Sequence, residues 1–359
     1  MKILIIVGSF KTGGAERMSI NTGEELKLRG HEVYYLIQRP IFEIPNSIND
    51  KNIFVLRKKN KNNFWYKVYS LFVGVFLVSR KINPDIIIGF TRFSSFLSCF
   101  TLKKAIARFD MNPFNLSLKQ RVWANIVLLN PVVKSVVVPS EGMYESLVKS
   151  KPRYKSKFKV VSNSINFHDV IEKSSEFDVK YDFEFFVAMG RLSNQKNFKL
   201  LISAFSKSSI KEKLKLMIIG DGILMPELKK IVDEKNLKNS VIFLGQVQNP
   251  FPYIKNSLFL VNTSKHESFC NVILEALSLS KPVIATNCNY GPSDMIINEY
   301  NGYLIENDNE NELIQILDKI SIDFSLVKEK SKNALISSQK FHLSKVGDKW
   351  EKLISSLVK

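Results

Sequence analysis

The sequence predicts an α/β protein built from two doubly wound parallel-sheet domains in series. Three observations predict it. Short continuous apolar runs, such as Lys2–Val7 and Phe185–Met189, recur along the chain, as expected of strands buried on both faces. Segments of helical period separate these runs, giving strand, helix and parallel strand in turn as βαβ units. The chain has 359 residues, 45 % of them hydrophobic. That suffices for two cores in domains of about 150–200 residues each.

The elements follow in order. After Lys2–Val7, Gly13-Gly14-Ala15 opens a helix running towards Leu28; Gly30-His31 ends it, and 33–37 is the second strand. A helix around 65–80 leads through Asn83-Pro84 to a strand at 85–89. The run 135–138 precedes Pro139-Ser140-Glu141, a helix start, and Lys159-Val160-Val161 leads into Ser162-Asn163-Ser164. Residues 166–182 are polar and charged without apolar period, and are expected to link a first domain, 1–165, to a second, 183–340. Strands of the second set are Phe185–Met189, Lys215–Ile219, 241–244, 258–261 and 282–285, with helices such as 198–205 and 226–235 between them. The last segment, 341–359, carries an amphipathic helix with Val346, Trp350, Leu353 and Ile354 at helical spacing. Two such domains suggest a ligand at the carboxyl ends of parallel strands.

Charge narrows the class of partner. The formal net charge is +18, with 27 Lys+Arg against 11 Asp+Glu in residues 1–170 and 25 against 23 in 171–359. A basic half attracts polyanions: nucleic acid, anionic lipid or a phosphorylated substrate. The runs Arg57-Lys58-Lys59-Asn60-Lys61 and 151–159 concentrate the cations, and the first adjoins Phe64-Trp65-Tyr66 and the apolar stretch 68–78. That combination predicts attachment of the first domain to an anionic membrane surface, while the apolar stretch is too short to span one. Cys99, Cys270 and Cys288 are odd in number and far apart, so neither a disulfide framework nor a zinc site is read, and a reduced cytosolic compartment is expected. The apolar start lacks the features of a signal peptide and reads as a strand.

Three segments carry candidate chemistry. Gly8 to Arg17 mimics a P-loop, but Gly14-Ala15 stands where Lys-Ser/Thr is required, so triphosphate hydrolysis is not expected. It lacks the G-x-G-x-x-G spacing, and the second strand ends in Gln38-Arg39 with no acid for a ribose, which counts against a dinucleotide oxidoreductase. What remains is a glycine turn at a helix start, open to an anion or to no ligand at all. The second segment, Gly190-Arg191-Leu192-Ser193-Asn194-Gln195-Lys196-Asn197, follows a strand, so Arg191 and Lys196 stand where they can clamp a diphosphate. The third runs from His266 to Ala276, with Glu267 before a helix, Glu275 about a turn inside it, and the amides of Phe269, Cys270 and Asn271 at its start. A carboxylate there can accept from both hydroxyls of a ribose or sugar.

Taken with Gly13-Gly14-Ala15-Glu16-Arg17, Gly30-His31-Glu32-Val33, Asn163, Gly220-Asp221-Gly222, Leu244-Gly245, Pro282 to Thr286, Tyr290-Gly291-Pro292-Ser293 and Asn301-Gly302-Tyr303-Leu304, these segments resemble the retaining glycosyltransferase family 4. The resemblance covers most of the chain and implies a GT-B fold: two facing Rossmann-like domains, the first for acceptor and the second for nucleotide sugar, with the C-terminal helix crossing back to the first. It implies that Arg191 and Lys196 hold the donor diphosphate, that Glu275 binds the ribose and that Glu267 contacts the donor sugar. Gly13, Gly14, Phe269, Cys270 and Asn271 would face phosphate and sugar. Family members often read Glu-Gly-Phe-Gly where this chain has Glu267-Ser268-Phe269-Cys270, so side chains at 268 and 270 would narrow or redirect the sugar pocket. A first-domain histidine common in the family is absent, and Ala107-Arg108-Phe109-Asp110-Met111-Asn112-Pro113 offers Arg108 and Asp110 on the acceptor side instead.

The Tyr-Gly-Pro-Ser segment resembles bacterial members that build O-antigen, capsule or lipid-linked oligosaccharides. The resemblance therefore implies transfer of a hexose or N-acetylhexosamine, with retention, from a nucleotide sugar with UDP as default to a polyprenyl-diphosphate-linked glycan. The work would be done peripherally at the inner face of the cytoplasmic membrane, with no cofactor and no nucleic acid. No Asp-x-Asp appears, so fixed cations and helix dipoles are expected to replace a divalent ion. The rival classes are a nonenzymatic basic protein binding membrane or nucleic acid, which leaves the ordered motifs unexplained, and the oxidoreductase.

Overall fold

The computed structural model describes residues 1–10, 13–43, 50–56, 64–110 and 117–358, with residues 50 and 64–70 as backbone. The chain divides into two units, Met1–Ser164 with Leu343–Lys359, and Ile165–His342.

Unit 1 holds β1 (Lys2–Val7), α1 (Gly14–Leu28), β2 (Glu32–Ile37), β3 (Ile53–Val55), α2 (Phe64–Ile82), β4 (Ile86–Gly89), α3 (Arg92–Ser98), β5 (Ala105–Arg108), α4 (Leu118–Leu129), β6 (Val133–Val138), α5 (Glu141–Ser150) and β7 (Phe158–Val160). Its seven strands run in the order β3-β2-β1-β4-β5-β6-β7, all parallel. The order reverses beside β1, the switch point at which open sheets leave a crevice beyond their carboxyl ends. Ile3 to Val7 are fully buried because β1 has a strand on each side and helices on both faces.

Unit 2 holds α6 (Phe167–Lys173), β8 (Phe185–Met189), α7 (Phe198–Lys207), β9 (Lys215–Ile219), α8 (Met225–Glu234), β10 (Val241–Gly245), α9 (Phe251–Asn256), β11 (Leu260–Asn262), α10 (Asn271–Ser278), β12 (Val283–Thr286), α11 (Pro292–Met295), β13 (Gly302–Ile305), α12 (Glu310–Ile322), α13 (Ser325–Lys328) and α14 (Lys330–Ser338). The six strands run β10-β9-β8-β11-β12-β13, again parallel. Alternate residues of β8 feed opposite cores: Phe186 and Ala188 enter one, Phe185 and Val187 the other. This is why the run is apolar throughout rather than alternating.

The last helix, α15 (Leu343–Val358), belongs to unit 1. Val346, Trp350, Leu353 and Ile354 form its buried face, in one core with Ile3, Ile5 and Met18. Polar ties fix it as well. Arg29 reaches Asp348 at 2.8 Å and donates to the Ser344 carbonyl at 2.7 Å, and His31 Nε2 lies 2.6 Å from Glu351 Oε2.

Two expectations change. The segment 166–182 holds α6, capped by Asn166 and anchored by the buried Val170, so its first half is folded into the core of unit 2. One buried valine among charged neighbours gives no visible period. Within 151–159, Pro152–Lys157 forms a 3₁₀ turn, and the Lys157 ammonium donates to the carbonyls of Leu128 and Asn130 at 2.8 and 3.2 Å. It closes the end of α4 rather than adding to a free basic surface. The run 57–61 and residues 111–113 lie outside the described residues, as do the side chains of residues 64–66. No helix among the described residues is long and apolar enough to cross a membrane.

Candidate active site

In unit 2 the loops after β8, β9, β11 and β12 converge at the carboxyl ends of the strands. The Arg191 loop rests on the loop of Gly220 and Gly222. The Leu192 amide donates to the Asp221 carbonyl at 2.9 Å, and the Leu224 amide returns to the Leu192 carbonyl at 3.2 Å. Gly220 has φ +133°, and a Cβ there would overlap the Gly190 carbonyl. Only glycine permits so close a backbone approach. On the other side, the Glu267 amide meets the Asn289 carbonyl at 3.4 Å, and Gly291, at φ +92°, leaves no room for a Cβ beside the Phe269 backbone. Gln195 ties the loops together, its Nε2 donating to the His266 carbonyl at 2.9 Å and its carbonyl accepting from the Lys265 amide at 2.8 Å.

This framework brings two candidates from different loops into contact. The Lys196 ammonium is bonded to Glu267 Oε1, and both side chains are largely buried. Burial works against the lysine charge, yet the ammonium sits above the ordinary lysine value, held there by the Glu267 carboxylate bonded to it. Burial pushes the Cys270 thiol well up and the Cys288 thiol to about 12. Both are therefore neutral thiols at neutral pH, and the negative charge facing Lys196 is that of Glu267. Sharing a buried carboxylate uses one of the three N–H donors of an ammonium, leaving others for an anion.

The remaining unit 2 candidates occupy distinct settings. Arg191 is exposed beside this pair in sequence. Asn271 and Glu275 lie on α10, half-buried, with Glu275 one turn inside it. The Phe269 side chain is buried and packs edge-on against Phe341, so only its backbone is available to a ligand. Cys270 caps α10 at φ +72°, in left-handed backbone that favours glycine, and its Sγ accepts from Asn262 Nδ2 at 3.4 Å.

In unit 1, Gly13 caps α1 and Gly14 begins it, with Glu16 folded back against Gly13. Arg108, expected on the acceptor side, is an interior group. It is 1 % exposed at the end of β5; its Nε donates to Asp110 Oδ1 at 2.7 Å, its Nη1 to the Val161 carbonyl at 3.4 Å and its Nη2 to Asn163. Its donors hold the loops after β5 and β7 together, leaving Asp110 as the more accessible member. The sequence reading passed over Glu16 and Arg92. Burial first, and then the proximity of Asp110, raises the Glu16 carboxyl above its usual range. Burial lowers the Arg92 guanidinium to about 10, with Asp110 opposing. Both flank turns after strands; Glu16 stands in the Gly13–Arg17 segment without a role read for it, and no motif marks Arg92. No group of three or more potential metal ligands occurs among the described residues.

Residues 169–336 match the family described as glycosyl transferases group 1. The chain is 32 % identical over 221 residues to N-acetylgalactosamine-N,N'-diacetylbacillosaminyl-diphospho-undecaprenol 4-alpha-N-acetylgalactosaminyltransferase of Campylobacter jejuni, a match spanning 62 % of this chain and 60 % of that one. A second C. jejuni protein, GalNAc-alpha-(1->4)-GalNAc-alpha-(1->3)-diNAcBac-PP-undecaprenol alpha-1,4-N-acetyl-D-galactosaminyltransferase, is 26 % identical over 99 % of both chains. The fold is similar to that of Anabaena Alr3699/HepE in complex with UDP, with a TM-score of 0.81 and 21 % identity over 99 % of this chain and all of that one.

Proposed function

We propose, from the match of residues 169–336 to the group 1 glycosyl transferases and the fold shared with solved glycosyltransferase-like structures, that this protein moves a hexose or N-acetylhexosamine from a UDP-sugar to a polyprenyl-diphosphate-linked glycan. The observation that carries the reading is the buried Lys196–Glu267 pair at the carboxyl ends of the unit 2 strands. It supplies a cation that stays charged, on a rigid loop, where parallel sheets bind ligands. The names of the C. jejuni relatives support an undecaprenol-linked acceptor and an N-acetylhexosamine donor.

In this reading Lys196, with Arg191, neutralises the departing diphosphate. Glu267 orders Lys196 and contacts the donor sugar, Glu275 holds the ribose, and the amides at the start of α10 add a fixed positive dipole. The acceptor hydroxyl attacks on the face the diphosphate leaves, so the anomeric configuration is retained. Because protein cations do the neutralising, transfer persists in excess EDTA.

Calorimetric titration with UDP tests the assignment. Lys196→Ala and Arg191→Ala should each weaken binding about tenfold or more, since a charge-assisted bond contributes about 1.5–3 kcal/mol. Glu275→Gln should mainly weaken UDP binding, and Glu267→Gln should mainly lower turnover. Unchanged UDP affinity in both cation variants, with folding retained, overturns the donor site.

A further inference from the structure

We propose that the outer face of α4 is the surface by which this protein settles on an anionic lipid bilayer. Leu118, Val122, Ile126 and Leu129 are 79, 48, 37 and 63 % exposed. At 3.6 residues per turn they fall within an arc of about 80°, one continuous stripe down the helix. Single exposed leucines are ordinary on protein surfaces, but four aligned on one helix mark a face built to be covered.

The helix beneath the stripe is firmly seated. Val127 and Leu128 are buried, and the Trp123 ring lies 4.8 Å from Phe93 and 5.6 Å from Phe96. A capping box of Ser117 and Gln120 fixes its start. The stripe is therefore not the side effect of a loose helix.

Charge identifies the occupant. Lys119 and Arg121, both exposed, flank the stripe on its two sides, and α4 contains no acidic residue. Residues 57–140 hold 14 Lys+Arg against two Asp+Glu. Apolar side chains bordered by cations suit an anionic interface, where the former enter the acyl boundary and the latter meet headgroups. A nucleic acid would engage the cations but leave the stripe in water. A second copy would bring together two units that each carry 31 Lys+Arg against 12 Asp+Glu. The inference stands on this surface alone, independently of the donor site.

Co-sedimentation of the full chain with vesicles tests it. Wild type should pellet with phosphatidylcholine–phosphatidylglycerol vesicles, less so as salt screens the attraction. Leu118→Ser, Val122→Ser and Ile126→Ser together should lower partitioning by about tenfold or more, with an unchanged unfolding midpoint. Brominated lipid should quench Trp123 in a Trp65→Phe background. Three results overturn the proposal: no pelleting of wild type, equal pelleting of the triple variant, or a wild-type dimer that the triple variant renders monomeric.

Discussion

The two units share a topology but place their charge differently. Unit 1 holds 31 Lys+Arg against 12 Asp+Glu, a net of +19, while unit 2 holds 21 against 22, a net of −1. At the strand ends the contrast runs the other way. Unit 1 buries Arg108 and commits its guanidinium to Asp110, Asn163 and a backbone carbonyl, while unit 2 holds Lys196 on one carboxylate with donors to spare. Net charge therefore says little about where a small anion binds. A broad excess acts over a surface, whereas a buried cation in a neutral unit acts at a point.

If that contrast is right, the largest stability effect comes from the buried arginine of unit 1. Arg108→Ala leaves Asp110 and Asn163 without their cation and should cost about 3–5 kcal/mol in denaturant unfolding. UDP affinity, assigned to unit 2, should stay unchanged in the folded variant. A loss below about 1 kcal/mol would place Arg108 outside the load of unit 1. Next comes Gly220→Ala, which sets a Cβ against the Gly190 backbone at a φ of +133°. Backbone cannot yield as a side chain does, so the expected cost is about 2–4 kcal/mol, with weakened UDP binding measured by calorimetry.

The smallest effect is one of pH. The Glu16 carboxyl titrates higher in the fold than in the unfolded chain. The folded state therefore binds the proton more tightly, and keeping Glu16 ionised at neutral pH costs stability. That cost fades as pH falls through the raised value and is gone once both states are protonated. Glu16→Gln should stabilise slightly at pH 7 and lose that advantage below about pH 3, where both states are protonated, compared by thermal unfolding. A gain equal at both pH values would show that burial of charge is not the cause.

Much of this fold was legible because it is written in local pattern. The apolar runs of β1, β8 and β9 and the buried face of α15 agree residue for residue with the structure. What escaped depends on contacts distant in sequence. Lys196 and Glu267 are 71 residues apart, so nothing in either segment announces their pairing. Arg108 was legible only as an acceptor-side candidate, because a motif does not reveal that its guanidinium will bond Asn163 and the Val161 carbonyl. The stripe on α4 went unread because its core face is apolar too, and two apolar faces hide which one is covered.

The return of α15 to unit 1 has a consequence for the order of assembly. Unit 2 is closed within itself, with the Ile165 amide bonded to the Phe341 carbonyl where the chain enters and leaves it. Unit 1 is not closed until residues 343–358 exist, since Trp350 and Ile354 fill its core. At translation rates of about 5–20 residues per second, the gap between Ser164 and Leu343 lasts on the order of ten to forty seconds. During that interval the ribosome displays a first unit whose α1 face is bare, and the unit synthesised second is the one completed first.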